Sequence, residues 1–338
     1  MRPLSFLARS AMAEHGRRRY LGVVDLGGSK ILSVVADEEG CILAEDRRAT
    51  EAGEGPEAGL ERIAASLEAA LANAGLGRED LRAAGVCSPG PIDRARGLLP
   101  EASNLPGWID VPIRQYLSDR LDVPAVLEHD ATAAAYGEFV YGAGRGYRHI
   151  VYLTVSTGIG GGLVLDGRLY RGATGAAGEL GHITIDADGP LCFCGKPGHV
   201  EGLCSGRAIA GQAEAVLARG GSPPMARLAE EDGGLTAATV HRAAEAGDPE
   251  AIRILQRAGY YLGIGLAAYV DIFNPEVIII GGGLRHIRDH YLGPAEEEMA
   301  RRAMAESLKA VRLVEVELGD YSGIMGVVAL LREGAATA

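Results

Sequence analysis

The chain of 338 residues carries 33 Lys+Arg against 45 Asp+Glu, a net charge of −12 at pH 7, with 47% hydrophobic and 23% charged residues. This composition matches a soluble globular protein of about two domains, taking ~150 residues per domain. The acidic balance argues against nucleic acid or an anionic membrane as partner, and no stretch reaches the ~18 uncharged apolar residues of a membrane-spanning helix. Forty-nine glycines, about twice the usual ~7%, cluster in turns. The cysteines at 41, 87, 192, 194 and 204 are odd in number, and Cys192-Phe193-Cys194 is tightly spaced. That suits a reducing compartment, read as the cytoplasm, with metal binding as the first alternative to free thiols.

At the N-terminus the apolar run Leu4 to Ala8 is ended by Arg9, too short for the hydrophobic region of a secretion signal. Residues 1–20 read as a disordered extension, and Met12 is a second start that would make residues 1–11 spurious. From Leu21 the elements are clear. Strands are expected at Leu21–Asp25, Ile31–Ala36 and Cys41–Asp46, separated by the turns Gly27-Gly28 and Asp37–Gly40. A helix follows Pro56, with Leu60, Ile63, Leu67 and Leu71 at helical spacing. Then come a buried strand at 82–87, a short helix from Arg114 to Arg120, a strand at Val123–Leu127 and a helix from Ala131 to about 143.

The second half repeats the order. Ile150–Val155 is a strand, Thr157 to Gly162 a Gly-rich turn and Gly162–Leu165 the return strand, continued by Arg168–Arg171. Helical patterns cover 206–219 and 239–270, followed by the apolar run Val277–Ile280, Gly281-Gly282-Gly283, a helix near 293–309, a strand at 310–317 and a last helix near 323–333. Each half reads as three strands followed by alternating helices and strands. An internal duplication of one α/β plan explains this better than two unrelated domains.

The turn Asp25-Leu26-Gly27-Gly28-Ser29-Lys30 lies between two strands, which excludes a dinucleotide fingerprint, and it lacks the P-loop spacing. Its glycines still let backbone N–H groups approach a phosphate, and Asp25 at the strand end is placed to hold Mg²⁺ directly or through water. Thr157-Gly158-Ile159-Gly160-Gly161-Gly162 offers the same chemistry with a hydroxyl added. Either turn alone would pass for a plain hairpin; their matching positions in a duplicated plan favour phosphate binding. His182, Cys192, Cys194 and His199 supply the four N/S ligands of a tetrahedral Zn²⁺ within eighteen residues. No ligand position stays open, so the ion would be structural; the alternative is two loop thiols and two surface histidines. Asp130, where a strand ends and a helix begins, reads as a helix N-cap, as a site carboxylate, or as both.

These motifs resemble the ROK family of sugar kinases, within the actin-like ATPase superfamily. Asp25–Lys30 matches its first phosphate motif, with Ser29 where Thr is usual, and Thr157–Gly162 its second. Ile279-Ile280-Gly281-Gly282-Gly283 resembles its adenosine-side motif. Cys192-Phe193-Cys194-Gly195, Gly198, His199 and Glu201 resemble its zinc signature, with His199 in place of the third cysteine. The match runs from about Leu21 to Leu331.

The resemblance implies two duplicated actin-like (ribonuclease-H-like) α/β domains of βββαβαβα plan with an interdomain cleft. The small domain would span 21–131 plus about 320–338, and the large one 132–319, with the zinc loop at 182–201. It implies an ATP-dependent hexose kinase, glucokinase-like, that phosphorylates the primary 6-hydroxyl of a sugar, with Mg²⁺ and structural Zn²⁺ as cofactors. Asp130 would be the general base. Gly27, Gly28, Ser29, Lys30, Thr157, Gly158, Gly160, Gly281, Gly282 and Gly283 would surround the nucleotide, with Asp25 on Mg²⁺. Glu179, His182 and Glu201 would bond sugar hydroxyls. So would His129, which stands where the family has Asn, and more weakly Gly90 and Asn104, while Trp108 reads as packing. Partners are the sugar, ATP and a second copy in a homodimer, with no nucleic acid and no membrane. The alternatives are a sugar-responsive regulator, for which only twenty residues precede Leu21, and a sugar-binding protein without turnover.

Overall fold

The structure, a computed structural model, describes residues 19–101 and 104–334. The extension expected before residue 19, Ser103 of the sugar-cleft segment and residues 335–338 lie outside the described residues. The chain divides into two compact units, one ending at Gly142 and resuming at Asp320, the other spanning Ala143–Gly319.

In the first unit, strands β1 (Tyr20–Leu26), β2 (Lys30–Ala36) and β3 (Ile42–Ala49) form an antiparallel meander. Helix α1 (Pro56–Asn73), strand β4 (Leu81–Ser88), the short ribbon β5 (Leu99–Glu101) and β6 (Ile109–Val111), helix α2 (Ile113–Leu121), strand β7 (Ala125–His129) and helix α3 (Asp130–Tyr141) follow. The sheet order is β3-β2-β1-β4-β7, with β4 parallel to β1 and β7 parallel to β4. β4 is buried along almost its whole length, as a strand covered on both faces must be. Pro56 opens α1, and its Leu60, Ile63, Leu67 and Leu71 face the sheet, each buried side chain contributing ~1.5–3 kcal/mol. Gly22 admits the helix: a Cβ there would lie 2.9 Å from a Leu67 methyl. Trp108 is fully buried against Gly59, its indole N–H donating to the Ala52 carbonyl at 3.3 Å.

The second unit repeats the plan. Strands β8 (Ile150–Val155), β9 (Ile159–Leu165) and β10 (Arg168–Tyr170) form the meander. Helices α4 (Val200–Cys204), α5 (Gly206–Leu217), α6 (Pro223–Glu231), α7 (Ala237–Glu245) and α8 (Pro249–Phe273) lead to strand β11 (Val277–Gly281). Helices α9 (Gly293–Arg302) and α10 (Ala305–Ala310) and strand β12 (Arg312–Glu315) complete it. The sheet order β10-β9-β8-β11-β12 is that of the first sheet, with the parallel neighbours in the same places. The registers correspond too: Asp25 pairs with Cys87 where Thr154 pairs with Gly281.

The chain then re-enters the first unit as α11 (Ser322–Arg332), packed on α3. Glycines bring the two backbones together: a Cβ on Gly326 would lie 1.7 Å from the Ala133 carbonyl oxygen, and one on Gly137 2.1 Å from that of Ser322. Ser322 Oγ also donates to buried Glu138 at 2.7 Å. This packing puts α3 in the first unit, so the boundary falls at Gly142/Ala143 rather than at 131/132 as expected.

Four other expectations change. The helical stretch 239–270 is two helices, broken where Gly247 adopts φ 84° and Asp248 caps α8 by accepting from the Glu250 and Ala251 amides. The helix near 293–309 is interrupted at Ala303-Met304, and β12 covers only 312–315 of the expected 310–317. The turn after β8 is also shorter than expected. The Ser156 amide bonds the Gly158 carbonyl at 2.9 Å, and Gly160, Gly161 and Gly162 lie in strand β9. No helix of the described residues is long and apolar enough to cross a membrane.

Candidate active site

The strand ends of the first unit carry three carboxylates. Asp25 lies near the end of β1, with Cys87 beside it on β4; the thiol lies 3.6 Å from its Oδ1 and donates to it. Asp25 is held up at about 6 from an ordinary 3.8, first by burial and then by the charge of Asp130, against the relief given by Cys87 and Lys30. Asp130 is the first residue of α3, and the N-cap position belongs to His129. Its Oδ1 accepts from the Ala131 amide at 2.6 Å and lies 3.4 Å from His129 Nε2, and its side chain is 41% exposed. A carboxylate with that much free surface beside a half-buried one can accept a proton from an incoming ligand. Glu128 is buried, bonds the His129 amide at 3.1 Å and pairs with Arg94 at 3.3 Å.

The turn above β1 is held from several sides. The Gly27 amide donates to the Lys30 carbonyl at 2.9 Å, Thr50 Oγ1 donates to the Gly27 carbonyl at 2.7 Å, and the Thr50 amide donates to the Ser29 carbonyl at 3.1 Å. A Cβ on Gly28 would lie 2.7 Å from the Asn104 carbonyl oxygen, so that glycine is required by close approach of backbone. Gly90 likewise faces the His129 ring, 2.8 Å from where its Cβ would be. Lys30 is exposed and pairs with Asp320 at 3.2 Å. Gly90, His129, Asp130 and Asp25 therefore form a chain of contacts and electrostatic neighbours at the strand ends of the first sheet, and Gly28, three residues after Asp25, meets Asn104.

In the second unit the equivalent turn, Ser156-Thr157-Gly158, is wired to the Cys/His loop by Glu201. Its Oε2 accepts from the Ile159 amide at 2.8 Å, while its Oε1 lies 3.5 Å from Cys192 Sγ. A Cβ on Gly158 would meet Glu201 Oε2 at 2.6 Å. Gly161 of β9 serves close packing. A Cβ on Gly161 would lie 2.5 Å from the Gly178 carbonyl oxygen, and one on Gly181 2.1 Å from that of Ile159, so the segment bearing Glu179 and His182 lies directly on the strand. Tyr269, buried in α8, fixes the same segment by donating to the Leu180 carbonyl at 2.6 Å.

His182, Cys192, Cys194 and His199 place one ligand atom each within 4.8 Å of one another. Cys192 Sγ is 3.7 Å from His182 Nδ1, and Cys194 Sγ is 3.2 Å from His199 Nδ1. Metal bonds of ~2.0–2.3 Å to N and S in a tetrahedron need such ligand separations, so the donor set fits a divalent ion. Burial, helped by Cys194 and the Glu201 charge, pushes the Cys192 thiol up to about 11, and burial with the charges of His182 and Lys196 pushes the His199 imidazole down, which leaves protons on the sulfur for a cation to displace. Imidazole edges are not all spent: His182 Nε2 lies 3.9 Å from Glu179 on the side away from the thiols.

Sequence reading missed a cavity of about 430 Å³ beside Thr157, lined by Ser156, Gly206, Arg207, Ala237, His241 and Gly283 among others. Of the three expected adenosine-side glycines, only Gly283 lines it. Gly281 is pressed against the Tyr152 hydroxyl, and Gly282 (φ 81°) against the Val155 carbonyl, 2.3 Å from where its Cβ would be. Cys87 was also missed as a site residue; its register opposite Asp25 was the available signal.

Residues 20–334 match the ROK family. The chain belongs to that family. A glucokinase of Thermotoga maritima is 35% identical over 310 residues, 92% of this chain and 96% of that one. A ROK family glucokinase of Streptomyces griseus, solved in complex with glucose and AMPPNP, is 33% identical with a TM-score of 0.78, covering 93% of this chain and all of that one. A xylose repressor of Bacillus subtilis is 28% identical over 304 residues, 90% of this chain and 74% of its own length. The fold is accordingly the actin-like one, with the two five-stranded α/β sheets as its repeated halves.

Proposed function

We propose that this ROK protein is an ATP-dependent hexose kinase, glucokinase-like, that transfers the γ-phosphoryl group to the primary 6-hydroxyl of its sugar. The observation that carries the reading is the half-exposed Asp130 carboxylate beside half-buried Asp25 at the strand ends of one sheet. Asp130 accepts the hydroxyl proton as the oxygen attacks phosphorus, a contribution of ~10²–10⁴-fold. Asp25 is the residue that would hold Mg²⁺, which when bound would supply charge neutralisation for the transferring phosphoryl group. The backbone of Gly27, Gly28 and Ser29 and the Thr157 hydroxyl address the phosphates, with Lys30 beside them. The cavity at Gly283 takes the adenosine.

Glu179, His182 and Glu201, with Asn104, Gly90 and His129, are the proposed sugar contacts. His182 has a free edge for this beyond its Nδ1. Glu201 spends Oε2 on the Ile159 amide, and its Oε1, now 3.5 Å from Cys192 Sγ, is the oxygen that would turn to a hydroxyl once that sulfur holds a metal. A structural Zn²⁺ on His182, Cys192, Cys194 and His199 would make this loop rigid enough to read a ring. Five free thiols suit the cytoplasm.

The relation to a xylose repressor favours a second reading, a regulator that binds sugar without turnover. Coupled ADP release over a panel of hexoses, xylose and N-acetylhexosamines, with mass analysis of the product, separates the two. Sugar 6-phosphate formed from glucose supports the kinase; sugar binding with no phosphorylated product from any member refutes it.

A further inference from the structure

The cavity beside Thr157 has a lopsided lining. Leu235, Ala237, Ala238, Leu284 and Ile287 make much of its wall apolar, no carboxylate lines it, and its one permanent cation is Arg207. The histidines His241 and His286 are its other titratable groups. Arg207 sits at the phosphate-turn end: its amide donates to the Thr157 carbonyl at 3.1 Å, next to a Gly206 amide bond to the Ser156 carbonyl at 2.8 Å. Among the described residues its guanidinium makes no ion pair. Its Cζ lies over the Phe193 ring, 3.8 Å from the centroid. Phe193 is half-exposed and stands between Cys192 and Cys194.

We infer that Arg207 grips the phosphate tail of the nucleotide in this cavity, and that Phe193, carried by the Cys/His loop, holds the guanidinium ready for it. The inference rests on the kinase reading and adds a phosphate-binding residue to it. Stacking occupies a face of the guanidinium and leaves its N–H edge free, the edge that engages phosphate oxygens in pairs. An arginine on a free rotamer would lose that freedom on binding; one already stacked loses less. An unpaired cation in a wall without carboxylates selects an anionic ligand, and the apolar remainder accepts a flat uncharged body. A nucleotide has both parts. The arrangement also joins the two motifs of this unit: the loop that presents the proposed sugar contacts carries the ring that orders the proposed phosphate contact.

Isothermal titration of the full chain with ADP and, separately, adenosine, both with Mg²⁺, tests this. Arg207→Gln should weaken ADP ~10-fold or more and leave adenosine within about two-fold, since adenosine lacks the group Arg207 binds. Arg207→Lys, which keeps the charge and the stem, should fall between and carries the test if the glutamine variant does not fold. Phe193→Ala should weaken ADP ~2–5-fold and Phe193→Tyr hardly at all. Wild-type affinity for ADP in the Arg207 variants, or equal losses of ADP and adenosine, would overturn the assignment. Unchanged ADP binding by Phe193→Ala would remove the ring's role. If the wild-type chain binds neither ligand, the kinase reading itself fails, a result distinct from wild-type binding that Arg207 does not affect.

Discussion

The two units share a strand order and a register, yet their sheet edges are furnished in opposite ways. At the end of β1 the first unit has Asp25 paired with Cys87; the second has Thr154 paired with Gly281 at the same place on β8 and β11. The first edge gathers Asp25, Glu128 and Asp130, and burial with mutual repulsion raises Asp25. The second exposes a hydroxyl turn, an apolar cavity and a single arginine, and clamps a Cys/His loop through Glu201. On the proposed function, one backbone plan would support acid–base and cation chemistry in one copy and anion binding in the other. What differs is a few side chains at strand ends, where the fold leaves side chains free of the core.

The sharpest way to break that comparison is to exchange the chemistry at each edge. Asp130→Asn should lower kcat ~10²–10⁴-fold with little change in sugar KM, since the variant keeps the shape and loses the proton acceptor. Thr157→Val should instead raise the KM for ATP while kcat stays within about three-fold, because the second edge binds and does not move protons. Steady-state kinetics on both variants decide it. Comparable kcat losses in the two would mean that the units do not divide the work in this way.

A smaller effect should follow from chelation. The first unit holds its turn with protein hydrogen bonds alone, from Gly27, Ser29 and Thr50. The second unit's loop 182–199 has few apolar anchors and four metal-fitting donors. Stripping a bound divalent ion should raise amide exchange across 182–204 by ~10-fold or more and leave 20–50 unaltered, as expected of a local opening. Hydrogen exchange before and after chelation reads this directly, and equal protection in both states would argue that the quartet holds no structural ion.

How much of this contrast the residues alone disclose depends on the range of the interaction. The apolar runs of β1 and β8, Pro56 at the start of α1 and the quartet His182, Cys192, Cys194 and His199 are local patterns; the strands and helix form where they were read, and the structure brings the four side chains together. Asp248-Pro249 was also a local signal, a cap followed by an N1 proline, and it marks the break between α7 and α8. Interactions between distant segments were not legible. Gly161 looks like a turn residue until Gly178 is seen lying on it, and Gly137 and Gly326, 189 positions apart, draw α3 into the first unit. Arg207 reads as an ordinary helix arginine because nothing in its neighbourhood names Ser156, Thr157 or Phe193 as its surroundings.

The smallest predicted effect sharpens the comparison without touching turnover. Asp25 is held near 6 in the fold, and its ordinary value is 3.8. Its ionised form is thus disfavoured by folding, so the stability linked to this group is fully present below pH 3.8 and is lost as pH rises through about 6. The full shift corresponds to roughly 3 kcal/mol, which partial exposure of the carboxylate reduces to about 1–2 kcal/mol. Asp25→Asn removes the ionisation. Without Mg²⁺ the variant should melt ~3–6 °C above the wild type at pH 7.5, taking ~2–4 °C per kcal/mol, and together with it at pH 4. Mg²⁺ with ADP should narrow the gap at pH 7.5 by stabilising the wild type more than the variant, because a cation on Asp25 supplies the compensation that Thr154 never needs. A melting difference of the same size at pH 4 and pH 7.5 would show that the asparagine acts through packing, and that the first edge is not poised to receive a cation.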